Sequence, residues 1–296
     1  MGKKEGILRV IPGDLLIFLT MLIFGGYPLF FALFSNISPL AFLSFLQFMG
    51  ALGFGAIALL QKREAITKKA WVLLGYLVVV ALGNDLTYFF AFKFTSVANA
   101  ALTHQMVSAF LLFLAPIFLK EKTKRNEWAS LGLSLLGLFI LYGESLLGEY
   151  KFKDAFGISL GLVSGFFLAC LFILYRLLPQ HNLSVVTINF WRHLLSSTVM
   201  LPVLASLPAA QTNTENLKIL IPFGIIFGVI ASGIHNFALG RTRSLHASII
   251  GKSEPAIAII YAFFFLREVP SVQVIIGGIL IIGSSVWLAG QKDNPL

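Results

Sequence analysis

The sequence predicts an all-α integral membrane protein: ten transmembrane helices, arranged as two inverted five-helix repeats around a central cavity. Three observations carry this expectation. First, 57% of the 296 residues are hydrophobic and only 12% are charged, about half the charged share of soluble domains. Second, the apolar residues gather into runs of about 18–24 residues, long enough to cross the hydrocarbon of a bilayer as helices. Third, the second half of the chain reads as a copy of the first.

The runs are 12–33, 39–60, 71–92, 97–119, 128–145, 156–178, 184–207, 218–239, 246–266 and 271–290. Polar or turn-forming stretches separate them, among them SNISP around Ser38 and Pro39, QKREAITKK at 61–69, KEKTKRNE at 120–127 and AAQTNTEN at 209–216. None is long enough for a soluble domain. Lys3, Lys4 and Arg9 flank the first run, which is too long for a cleaved leader, so a retained first span is expected. The net charge is +9; in such a chain this points to basic cytoplasmic loops, not to nucleic acid. With the N-terminus inside, fifteen of the 22 Lys and Arg fall on cytoplasmic segments. Five fall outside (Lys93, Lys151, Lys153, Lys218 and Arg267), and Arg192 and Lys252 lie within spans. The bias predicts a multi-pass protein of the bacterial inner membrane with both termini cytoplasmic and the lipid bilayer as its solvent.

The repeat is visible without a gap. KFTSVANAALTHQMVSAFLLFLAPIFLKE (93–121) lies over GRTRSLHASIIGKSEPAIAIIYAFFFLRE (240–268) at an offset of 147, so Thr95 meets Thr242 and Glu121 meets Glu268. LGLSLLG (131–137) matches GGILIIG (277–283) after a one-residue slip, and FLQF (45–48) matches FWRH (190–193). The repeats are taken as 12–145 and 156–290. Five spans per repeat is an odd number, so the halves are inverted in the membrane, an architecture of secondary transporters with a site near the midplane.

The motif EP at 254–255, LRE at 266–268, Gln273 and the glycines up to Gly283 resembles the second EamA-type repeat of the drug/metabolite transporter superfamily. The first half is a looser match, with LKE at 119–121 but Val107 and Ser108 in place of Glu254 and Pro255. The resemblance covers residues 12 to 290. It implies a ten-span carrier with cytoplasmic ends that moves amino acids, other metabolites or drugs, often outward.

Candidate substrate-binding residues are the polar groups inside the spans, because a buried ionisable side chain in hydrocarbon is costly and needs a partner or a task. Lys252 and Glu254 sit beside Pro255 and point about 200° apart on a helix, so each requires a partner on another helix. Asp85, in GNDLTYFF, reads either as a site for an ammonium group or a proton, or as the partner of Arg192 or Lys252. Arg192 lies mid-span opposite Gln47 in the repeat alignment, and its fork suits a carboxylate. Of the two cations, Lys252 is the expected carboxylate ligand, since its counterpart is the uncharged Gln105. Tyr88 corresponds to His235, and His104 to Gly251, so equivalent places are polar in both halves. Trp191 neighbours Arg192 but points about 100° away and reads chiefly as packing. GGYP at 25–28 should bend the first span and bring Tyr27 near the cavity.

Other features read as structural. Asp14 is expected to cap the first helix. Trp71, Trp128 and Trp287 suit interfacial anchoring. The glycine ladders at 157, 161 and 165 and at 224 and 228 allow close helix approach. Most of the 29 phenylalanines are expected to face lipid or pack spans and not to form an aromatic substrate box. One cysteine, Cys170, excludes an internal disulfide. No metal-ligand spacing and no phosphate-binding loop occurs, so no metal, no cofactor and no direct use of ATP is expected. The function expected is export of a small zwitterionic metabolite, an amino acid or a derivative, by alternating access. A multidrug, quaternary-ammonium or nucleoside exporter is the alternative; a membrane enzyme lacks its residues. Proton coupling and a homodimer stay open.

The charge bias gives a direct test. Reporters fused after Leu296 and inserted at Lys122 should both be cytoplasmic, and one at Lys151 external; Lys122 and Lys151 on one side would overturn the ten-span topology.

Overall fold

The computed structural model describes residues 11–289 apart from 96, 122, 147–151, 268, 270 and 271. Lys3, Lys4, Arg9, Lys122, Lys151 and Lys292, used in the topology argument, lie outside the described residues, as does Glu268 of the LRE motif. The described chain is helical, without strands. Each expected run coincides with one helical segment, numbered 1 to 10 in chain order. Segment 1 is Gly13–Phe24 and Tyr27–Leu33, segment 2 Pro39–Leu59, segment 3 Lys68–Phe94, segment 4 Val97–His104 and Val107–Leu119, and segment 5 Arg125–Leu146. Segment 6 is Phe152–Leu177, segment 7 Val185–Ser206, segment 8 Thr214–Leu239, segment 9 Ser244–Gly251 and Ser253–Leu266, and segment 10 Val272–Ala289. Among the described residues, six of these are long and apolar enough to cross a membrane: segments 1, 2, 3, 6, 8 and 9.

Local chemistry sets the ends. The side chains of Ser38, Thr67, Ser184 and Asn213 each accept an amide of the first turn of segments 2, 3, 7 and 8, which satisfies donors that a helix start leaves open. Pro39 stands at the first position of segment 2, where its missing N–H costs nothing. Segments 4 and 9 end on equivalent residues, Lys120 at φ 56° and Arg267 at φ 61°, both left-handed. The basic residue in LKE and LRE is therefore a helix-ending residue in a conformation more usual for glycine.

Three segments are interrupted. Segment 1 breaks at Gly25 and Gly26, before Pro28, as the GGYP stretch predicts. A Cβ on Gly25 would lie 2.7 Å from Ile257, so the break is also where segment 9 comes close. Segments 4 and 9 break at equivalent places, around Gln105 and Lys252, each through a tightened turn: Met106 N bonds to Thr103 O and Lys252 N to Ile249 O. Segment 8 passes through a π-helical stretch, Gly224–Ala231. Asp14 makes no cap bond; Pro12 occupies the cap position, and the Asp14 carboxylate instead faces His246.

The packing obeys one exchange rule. Segments 2 and 7 pack on each other, as do segments 5 and 10. Segment 3 packs on 6 and segment 8 on 1; both pieces of segment 4 pack on 6 and both pieces of segment 9 on 1. Swapping segment n with n + 5 maps each contact onto another or onto itself. Glycines make the closest approaches. A Cβ on Gly228 would sit 2.5 Å from the Leu46 carbonyl, one on Gly165 2.7 Å from that of His104, and one on Gly137 2.8 Å from that of Gly277.

Backbone atoms cannot step aside as side chains do. Gly228→Ala is therefore expected to lower stability in detergent by about 1–3 kcal/mol. Gly75→Ala, whose Cβ would meet nothing within 4 Å, should be neutral or stabilising by up to about 1 kcal/mol. Equal melting temperatures for the two variants would contradict the backbone contact.

Candidate functional site

A cavity of about 140 Å³ lies between the halves, lined by segments 1 to 4 and 6 to 9. Its position follows from the breaks, which turn His104, Gln105, Gly251 and Glu254 toward a common space. Of the ten residues singled out from the sequence, seven line it: Tyr27, Asp85, Tyr88, His104, Arg192, His235 and Glu254. Gln47, Lys252 and Trp191 do not.

Asp85 is the best-supplied group. Its Oδ1 accepts from Asn84 Nδ2 at 2.9 Å, and its Oδ2 from Gln47 Nε2 at 3.0 Å and from Arg192 Nη2 at 3.4 Å. Gln47 and Arg192, equivalent positions of the two halves, thus donate to one carboxylate oxygen. Gln47 Oε1 is in turn 2.8 Å from His193 Nδ1. Behind this row, Tyr175 and Asn236 both donate to Asn189 Oδ1, at 2.7 and 2.8 Å. The Asp85–Arg192 pair matches one of the two readings open from the sequence, and Arg192 Nε has no hydrogen-bond partner.

Glu254 is the opposite case. It is half-buried, lines the cavity, and among the described residues has no hydrogen bond and no ion pair. Tyr27 stands within electrostatic reach of Asp85, Arg192 and Glu254 alike.

Lys252 stands behind the wall. It is fully buried, and its Nζ donates to the Gln105 carbonyl at 2.8 Å. Its partner is on another helix, as the sequence requires, but it is a backbone oxygen exposed by the break in segment 4 and not a carboxylate.

The histidines are held. His104 Nδ1 is 2.8 Å from Ser164 Oγ, and its ring stacks on Tyr88 at 3.8 Å. His235 Nδ1 is 3.0 Å from Thr20 Oγ1, and its ring meets Phe24 edge-on at 5.5 Å. Trp191 packs edge-on against Trp71 at 4.7 Å. Most phenylalanines lie elsewhere, but Phe24, Phe89, Phe172 and Phe227 line the cavity. Asn84, Ser232, Asn236 and Ser248 also line it. The signal for them was present, since each is a polar residue inside an apolar run, but charge drew attention elsewhere.

Removing one partner of a buried pair strands the other. Arg192→Met should lower apo stability by about 3–5 kcal/mol, and Asp85→Asn in the same chain should recover part of it, with a coupling of about 1–3 kcal/mol. Lys252→Met leaves the Gln105 carbonyl without its donor, a loss of about 1–3 kcal/mol. Thermal unfolding of the four variants, the double included, checks this; additive losses at Asp85 and Arg192 would mean that the pair does not form.

The EamA-like transporter family model matches residues 11–143 and again 155–290. An uncharacterized transporter of Archaeoglobus fulgidus is 26% identical over 291 residues, covering 95% of this chain and 98% of that protein. A probable amino-acid metabolite efflux pump of Salmonella typhimurium is 25% identical over 225 residues, covering 71% of this chain and 74% of that protein. A solved crystal structure superimposes with a TM-score of 0.80 at 14% identity, over 94% of this chain and 98% of that one, a likeness of fold. With the cavity placed between two halves that each match the same model, the chain belongs to the EamA-like transporter family.

Proposed function

We propose that this transporter is a ten-span secondary carrier, built as inverted repeats over 12–145 and 156–290, that exports a small zwitterionic metabolite across the cytoplasmic membrane by alternating access. An amino acid or amino-acid derivative fits best. The observation that carries this reading is the Glu254 carboxylate, which faces the cavity without a hydrogen bond or an ion pair among the described residues. A carboxylate left uncompensated in a low-dielectric space is costly. A ligand ammonium group relieves that cost, and so does a proton between substrates. Arg192 lines the same cavity, and a planar guanidinium suits a carboxylate better than a point charge does. The exchange rule in the packing supports two half-bundles that rock about the cavity. Outward transport is supported by the Salmonella relative named as an efflux pump.

One observation favours the quaternary-ammonium alternative. Phe24, Tyr27, Phe89 and Phe227 form an aromatic part of the wall near an acid, and such faces attract organic cations.

Thermal-shift measurements on purified protein separate the readings. Amino acids should stabilise by about 2.7 kcal/mol at a hundredfold excess over Kd, while matched amines and matched acids should do much less. Glu254→Gln should abolish the response and leave the apo melting temperature near wild type. A quaternary ammonium compound that stabilises as well as the best zwitterion would replace the metabolite reading with the drug reading.

A further inference from the structure

Outside the cavity, the shielded ion pairs among the described residues are distributed to one side. Arg176 Nε lies 3.4 Å from Glu121 Oε1, and the same guanidinium donates to the Gly240 carbonyl at 3.0 Å. Glu121 also accepts the Ser244 amide at 3.1 Å. Arg243 pairs with Glu127, whose other oxygen accepts the Lys124 amide at 2.9 Å. His246 Nδ1 lies 3.3 Å from Asp14 Oδ1. Every one of these pairs joins the first half of the chain to the second. All sit at the segment ends that the Lys and Arg bias places in the cytoplasm.

These are not free surface contacts. Side-chain exposure is 10% for Glu121, 3% for Glu127 and 5% for His246. Burial pushes the Glu121 carboxyl above the usual carboxylate range, while the Arg176 guanidinium and the Ser244 amide pull it back. Exposed pairs contribute little, but a shielded pair with further hydrogen bonds resists separation, because each lone charge would be left desolvated.

The opposite end is closed by different chemistry. Phe31 meets Phe42 at 5.1 Å and Phe89 at 5.0 Å, and Phe42 meets Phe223 at 4.7 Å. Among the described residues its one ion pair, Lys218 with Glu215, is exposed and lies within a single helix. Of these residues the repeat copies Glu121, as Glu268, but not its ionic partners. At the offset of 147, Arg243 meets Ser96, and Glu127 falls at Gln273 or Val274.

We propose that the pairs Arg176–Glu121, Arg243–Glu127 and His246–Asp14 form a latch between the halves that holds the cytoplasmic mouth shut. Parting them is then the step that opens the cavity to the cytoplasm, whereas the external mouth opens by separating aromatic rings. This rests on the alternating-access reading for the meaning of opening, but its test does not depend on the substrate.

The test replaces Cys170 with Ala and places a single reporter by Ser248→Cys, at a cavity position 1% exposed. A membrane-impermeant maleimide is applied to inside-out and to right-side-out vesicles. Glu127→Gln and Arg176→Met should each raise labelling from the cytoplasmic face about tenfold, the factor that ~1.4 kcal/mol produces, without raising it from the external face. The exchanged pair Glu127→Arg with Arg243→Glu should return the rate toward wild type. Unchanged labelling, an equal rise from both faces, or no recovery in the exchanged pair would overturn the latch. Should Glu127→Gln fail to fold, Asp14→Asn in the most exposed carboxylate of the three carries the same expectation. Faster cytoplasmic labelling in a chain that moves no substrate would leave the latch standing and remove the carrier reading instead.

Discussion

A backbone carbonyl released by a helix break has no water to turn to inside hydrocarbon, and it must find a donor within the protein. Here the carbonyl is that of Gln105 and the donor is the ammonium of Lys252. Each stands at the break of its own helix, and the two positions are equivalent in the repeat. One hydrogen bond therefore ties the two interruptions together. The breaks are what allow segments 4 and 9 to bend around a cavity and present His104, Gln105, Gly251 and Glu254 to it. The same bond explains why a lysine can be buried completely in this setting without a carboxylate beside it: its role is satisfied by the backbone.

Around that crossing, a symmetric frame carries asymmetric chemistry. Gln47 and Arg192 occupy equivalent positions, yet both donate to Asp85, which belongs to the first half. That carboxylate receives three donors, so its hydrogen-bonding capacity is largely taken up within the protein. Glu254, by contrast, comes from the half with the EP motif and has no hydrogen bond or ion pair among the described residues. The cavity therefore has one acid that the protein itself supplies with donors and one that it does not.

The two ends of the molecule divide the labour of closing it. Aromatic rings seal one end through contacts that are non-directional and can separate and reform without leaving a charge exposed. Ion pairs seal the other through contacts that are directional and costly to leave half-made. Glycines at 165, 228 and 137 let the segments approach backbone to backbone between these ends. An inverted pair of repeats need not have equivalent gates, because Arg243 and Glu127 at the segment ends are not copied in the other half.

The sequence by itself determined the architecture. Apolar run length and the offset of 147 are properties of segments, and in a bilayer a segment's composition dictates whether it becomes a helix. GGYP announced its own break, because glycine and proline act on the backbone where they stand. Seven of ten polar candidates reached the cavity for a related reason: a polar group in an apolar run has few places to go. What only the tertiary structure decided was pairing. Lys252 and Arg192 look alike in sequence, and so do Asp85 and Glu254. Which cation meets which acid depends on helix rotation and on the breaks, which combine residues more than a hundred positions apart. Asp14 met His246 in place of a helix end, and four phenylalanines turned inward, because those outcomes are set by what the neighbouring segment presents and not by any local preference.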